Sequence, residues 1–193
     1  MRRGPTTSSE RGQALVEFAL ILPVFVLVLF SVVEFGFVMN ASNTLNYVSR
    51  VGAMLAAEGG QTAGTDCIIL SAIERELTSP ATPTRVSRID IYWSDANGAQ
   101  LGSNANTYTR SGSTTCSFAD GTSVTVPYTL SSPGYTEDER CDVLLGCGGG
   151  HTTVDTIGVR ITYTHQWVTA FGRNIAGPIT FQRSTAVRME PTL

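Results

Sequence analysis

11-RGQALVEFALILPVFVLVLFSVVEFGF-37 decides how the rest of the chain is read. From Ala14 to Val33 the only ionisable residue is Glu17. At a rise of about 1.5 Å per residue this run covers roughly 30 Å, the thickness of a hydrocarbon core. A cleaved secretory signal has a shorter apolar core with a small-residue site just after it. Here the run continues into Glu34, Phe35, Gly36 and Phe37, so a membrane span is the expectation. Arg2, Arg3 and Arg11 precede it, and no lysine or arginine follows until Arg50. Positive residues stay on the cytoplasmic side. The expected arrangement is a cytoplasmic leader (1–13), a single-pass transmembrane and extended helix (14–58), and an extracytoplasmic domain (59–193).

The helical pattern outlasts the apolar run. Leu45, Val48, Val51, Met54 and Leu55 recur at steps of three and four, and Gly59 and Gly60 supply a stop. One helix over about 14–57 is expected, its first half in lipid and its second half amphipathic. Pro23 removes a backbone donor within it, a place for a kink.

The composition agrees with an anchored, exported chain. Charged residues are only 15% of 193, where about a quarter is usual. The net charge is −3, and no basic cluster lies beyond the N-terminus. A nucleic-acid partner would need a clustered basic face, so none is expected. Cys67, Cys116, Cys141 and Cys147 all follow the span, in a region rich in Ser, Thr and Gly. An even count there fits disulfides in an oxidising compartment; the plain alternative is four free thiols. Four cysteines allow three pairings. Nearness in sequence favours Cys141 with Cys147, which leaves Cys67 with Cys116.

Glu17 is the odd residue of the span. A carboxylate in lipid costs a few kcal/mol, less near the interface, so the bland reading is an interfacial side chain. The spacing offers a sharper one. Gly12 followed by Glu17 and Phe18, with an Arg-bearing leader before and an apolar helix after, resembles the prepilin-peptidase signature of type IV pilin-like proteins. That resemblance implies processing between Gly12 and Gln13, and a role for Glu17 in subunit register by pairing with a neighbour's new amine. The longer string is similar to the TadE-like family of tight-adherence (Flp) pilus assembly proteins. The residues that carry the likeness are Gly12, Gln13, Ala14, Glu17, Phe18, Ala19, Pro23 and the block Glu34, Phe35, Gly36. The continuation 41-ASNTLNYVSRVGAMLAAEG-59 adds Arg50, Gly52 and Ala53. The resemblance implies a minor pilin or pseudopilin with no enzymatic activity. Its helix would pack through Leu15, Pro23, Glu34, Phe35 and Gly36. Its partners would be other pilin subunits, a prepilin peptidase, the inner-membrane assembly machinery and lipid. The rival from another class is a membrane-tethered binding domain that never assembles.

The fold class expected is α+β. Thr65 or Asp66 can cap a short helix to about Leu77, with Ile69, Ile73 and Leu77 on one face. In 86-VSRIDIYW-93 the period changes to two, with Ile89, Ile91 and Trp93 on one face and Arg88, Asp90 and Tyr92 on the other. Asn97-Gly98 then reads as a hairpin turn. Ile157, Val159, Ile161, Tyr163, His165 and Trp167 share a face of a second strand, and Ile179 to Met189 forms its hairpin partner. The sheet is expected to be antiparallel with three or four strands. Ala99 to Val154 is read as a long disulfide-bearing loop with one short strand at Val124–Tyr128, and as the place for a partner surface.

No motif marks an enzyme or a cofactor. 146-GCGGGH-151 lacks the Lys-Ser/Thr ending of a phosphate loop. 95-DANG-98 has its glycine misplaced for a calcium loop. His151, His165 and the cysteines match no standard zinc spacing, and G-x-S-x-G is absent. His165 is expected as a hydrogen-bonded core histidine, and Trp93 and Trp167 as core anchors.

Overall fold

The computed structural model describes residues 8–147 and 150–190. Arg2 and Arg3 of the expected leader, and Gly148 and Gly149 of the glycine run, lie outside the described residues. Helix α1 runs Ser8–Gly59, 52 residues or roughly 78 Å, and is continuous through Pro23. It begins six residues before the expected start, so the Gly12–Gln13 bond lies within helix. It ends where the glycines stand. Gly60 adopts φ 56° and its N–H returns to the Ala56 carbonyl at 3.2 Å. A left-handed residue after the last turn is the usual glycine stop.

Helix α2 (Thr65–Glu76) follows. Neither Thr65 nor Asp66 caps it. Its N-cap is Gly64, with no side-chain cap bond. The free N–H groups are met from far along the chain instead. Glu137 accepts from Gly64 N at 2.8 Å and from Asp66 N at 2.7 Å. A carboxylate at this end satisfies two orphan donors and complements the helix dipole.

The strands are β1 (Val86–Ser94), β2 (Gln100–Thr109), β3 (Thr114–Ser117), β4 (Ser123–Val126), β5 (Thr129–Ser132), β6 (Cys141–Asp142), β7 (Gly146–Cys147), β8 (Thr156–His165) and β9 (Ile179–Arg188). Among the described residues five of them form one antiparallel sheet in the order β5-β2-β1-β8-β9. The fold is thus α+β, as expected, but the stretch read as a loop is not one. Residues 99–154 hold β2, which pairs with β1 across the Asn97-Gly98 turn, and the small ribbons β3-β4 and β6-β7. The turn itself is as expected: Gly98 has φ 86°, and Asp95 Oδ1 accepts from Asn97 N and Ala99 N.

The upper half of α1 and all of α2 lie on one face of the sheet. Ala41, Leu45, Val48, Ala53 and Ala56 of α1 meet Ile69, Leu70 and Ile73 of α2 and Ile89, Ile91, Val159 and Ile161 of the sheet, all fully buried. Small residues at 52–53 and 56–57 let α1 come close. A Cβ on Gly52 would stand 3.2 Å from Val159 Cγ1 and 3.5 Å from both Ile69 and Ile73. The opposite face is not a plain solvent face. Tyr92 is fully buried there because Gly158, its neighbour on β8, leaves room for the ring, and its hydroxyl donates to the Gly98 carbonyl. Trp93, expected as a core anchor, is only half-buried and stacks on His151 at 4.0 Å. Cys67 joins Cys116 and Cys141 joins Cys147. The first ties α2 to the β3-β4 ribbon and the second closes β6 on β7.

Candidate functional site

The part of α1 that is left unburied by the rest of the protein is the part the sequence marks as functional. Its most apolar window has a mean hydropathy of 2.7 and no residue of it is buried within the protein. Leu15, Val16, Phe18, Leu20 and Ile21 are between 60% and 71% exposed, on every side of the helix. A soluble monomer rarely leaves more than a few hundred Å² of contiguous apolar surface in water. A helix apolar all round needs lipid or other helices about it. Helix α1 therefore fits a membrane anchor.

Within this arm the candidate residues fall on different sides. Gly12 has nothing within 4 Å of where a Cβ would stand. Gln13 Nε2 donates to Glu17 Oε1 at 3.0 Å, so the one acid of the apolar run is met by the residue four places before it. Leu15 and Phe18 stand outward. At Pro23 the helix simply continues with one bond fewer. Phe35 and Gly36 are exposed, but Glu34 between them and the apolar run is 4% exposed.

Glu34 is turned inward onto the segment that joins β8 to β9. Its carboxylate accepts from Val168 N at 3.1 Å and from Thr169 N. This segment, expected as a plain link, contains a short helix, α3 (Ala170–Ile175), capped by Thr169 Oγ1 accepting from Gly172 N at 3.1 Å. Glu34 thus pins the base of the sheet to the helix one residue beyond the apolar run. The acid in the Glu-Phe-Gly block was visible in the sequence; its partner, 134 residues away, was not.

His165 lies fully buried at this base, on the expected face of β8. It is not the hydrogen-bonded histidine expected: neither ring nitrogen has a partner among the described residues. Burial and the nearby Arg85 charge lower its pKa against the opposing pull of Glu34, so the ring is neutral at pH 7. Trp167 meets it edge-on, with ring centroids 6.0 Å apart.

The head is held together by a second buried polar group that sequence reading missed. Asp66 Oδ2 accepts from Asn106 Nδ2 at 2.9 Å and Tyr108 Oη at 2.7 Å, and Oδ1 accepts from Arg140 Nη2. Arg140 is fully buried. Burial disfavours its charge, but Asp66 more than offsets this and its pKa is raised. Burial, then Asp66, likewise raises the Tyr108 hydroxyl. On the far side, His151 Nδ1 lies 2.8 Å from both oxygens of Asp155, which also accepts from Tyr135 Oη at 2.7 Å. These carboxylates have partners within the fold and bind the sheet to its long excursions.

No curated protein and no solved structure matches the chain. A family model described as TadE-like protein matches residues 12–54, which is the free arm of α1 together with most of its docked half. That family is associated with the tight-adherence pilus and is not an enzyme family. In the helix that carries Gly12, Glu17 and Glu34, this chain is similar to the TadE-like family.

Proposed function

We propose that the chain is a minor pilin or pseudopilin of a tight-adherence pilus. It is held in the membrane by α1 as a precursor, with its N-terminus in the cytoplasm and its head outside. The observation that carries this reading is the bare apolar arm of α1 with an acid near its start. A tether needs only the apolar residues. An acid at Glu17 is a cost in lipid unless something cationic meets it. In the single chain its partner is the neutral Gln13 amide. Removal of the leader after Gly12 would create an α-amine on Gln13, and a neighbour's amine would give Glu17 a charge-assisted bond in its place. The bond to be cut lies within helix but only a few residues from its start at Ser8, where helices fray. The two disulfides and the arginines before the span support the orientation.

Two measurements test the proposal in cells that are making fibres. The intact mass of the protein is expected to match a chain beginning at Gln13; only full-length chain would overturn processing. Glu17→Gln keeps the shape and removes the charge. Losing a charged bond costs about 1.5–3 kcal/mol per contact, enough to cut incorporation by about tenfold or more. Unchanged incorporation would favour a tethered binding domain that does not assemble.

A further inference from the structure

The link between β8 and β9 is folded as a foot. Its sequence, 167-WVTAFGRNIAGPI-179, holds one cation, Arg173, and no acid. Much of its backbone is satisfied from within. The Trp167 indole N–H donates to the carbonyls of Ala176, at 3.2 Å, and Gly177. Arg173 reaches back to the carbonyls of Val168 at 3.3 Å and Thr169 at 3.5 Å. Glu34 takes the N–H groups of Val168 and Thr169. Two apolar side chains are left facing outward, Val168 at 50% exposed and Ile179 at 38%, beside the exposed Arg173 and Asn174.

The height of this foot is set by α1. Glu34 holds it one residue beyond Val33, the last of the apolar run. A cavity of about 380 Å³ then opens between Phe30, Ser31 and Phe35 of α1 and Trp167, Gly172 and Ile179 of the foot. Phe30 and Ser31 belong to the run itself, about 4.5–6 Å nearer its centre than Glu34. The head therefore does not stop above the span; its foot overlaps the span's last turn.

We propose that residues 167–179 are a membrane-surface foot, seated in the interfacial layer of the outer leaflet, with lipid filling the cavity between the foot and α1. The inference rests on reading α1 as a span. The cavity is continuous with the lipid-facing surface of α1, since both are lined by Phe30. Trp167 has the amphipathic ring that prefers this layer, and Arg173 supplies a cation for lipid phosphate. Outward apolar side chains on a segment with satisfied backbone are what an interfacial segment needs. Helix and foot together would fix the tilt of the head on the membrane.

Tryptophan fluorescence in vesicles tests this with the full chain. The protein has two tryptophans. Trp93 pairs with Ile157, eight residues along β8 from His165, so it sits roughly 26 Å from the base and serves as an internal reference. In phosphatidylcholine–phosphatidylglycerol vesicles brominated near the headgroup end of the acyl chain, the protein is expected to lose about half of its emission, the share of one interfacial tryptophan of two. Trp167→Phe should lose almost none. Ile179→Asp, at an exposed site, should weaken the quenching of the unaltered Trp167 at least twofold. Equal quenching in all three chains, or none, would overturn the foot. So would quenching that vanishes as the protein-to-lipid ratio is raised, since a second copy would then be the occupant. Alkaline extraction of the same vesicles separates the two readings: retained protein without quenching overturns the foot alone, while stripped protein overturns the span and the foot together.

Discussion

Replacing Asp66 by alanine is expected to destabilise the head by about 3–5 kcal/mol, the usual cost of leaving a buried charge without its partner. Arg140 is fully buried and its ion pair is with Asp66; two of its nitrogens, Nε and Nη1, have no hydrogen-bond partner among the described residues. The face of the Tyr135 ring, 5.3 Å from the guanidinium, is a weak substitute. Asn106 and Tyr108 would lose their acceptor in the same step. Urea unfolding of the purified protein, followed by tryptophan emission, should show a large fall in the midpoint. Removing both charges with Asp66→Ala and Arg140→Met should recover much of the loss, because the penalty belongs to the orphaned cation. A single Asp66 variant that unfolds within about 1 kcal/mol of the parent would mean that water reaches Arg140, and the account of this network would fall.

The two disulfides are expected to matter unequally. Cys67 and Cys116 are separated by 49 residues, Cys141 and Cys147 by six. If the effect is on the entropy of the unfolded chain, opening the first ring costs about 4 kcal/mol and opening the second about 2 kcal/mol. The long ring also restrains the β3-β4 ribbon, whose Phe118 and Val124 pack against the core. Serine pairs at 67/116 and at 141/147, compared by thermal unfolding without reductant, should rank in that order. Equal losses, or a greater loss at 141/147, would show that local strain or contacts outweigh chain entropy here.

Much of the molecule could be read before its fold was known, and for a consistent reason. The apolar run, the long helix, its glycine stop, the Asn97-Gly98 turn and the apolar face of β8 are local patterns. Each is written in residues a few positions apart, at periods of 3.6 or two. Pairing Cys141 with its near neighbour also needed only local distance, and the other bridge followed. What failed was the reading of 99–154 as a loop. Strand β2, QLGSNANTYT, is polar, and it is a strand because Asn106 and Thr107 are buried against partners far away. Asn106 bonds Asp66 and the N–H groups of Gly134 and Tyr135, and Thr107 bonds Asp90. β propensity is set by such surroundings more than by the residue itself.

The same division runs through the candidate site. Gly12, Glu17 and the acid at Glu34 are legible as exceptions to an apolar pattern. That Glu34 faces its own sheet, and that Trp167 closes a foot beside Phe30, depends on bringing β8 and β9 back along α1. A short-range pattern reports which side chains share a face of one element, because the backbone repeat alone sets that. It carries nothing about which distant groups will satisfy a buried donor or acid, because that is settled only when the elements pack and water is excluded.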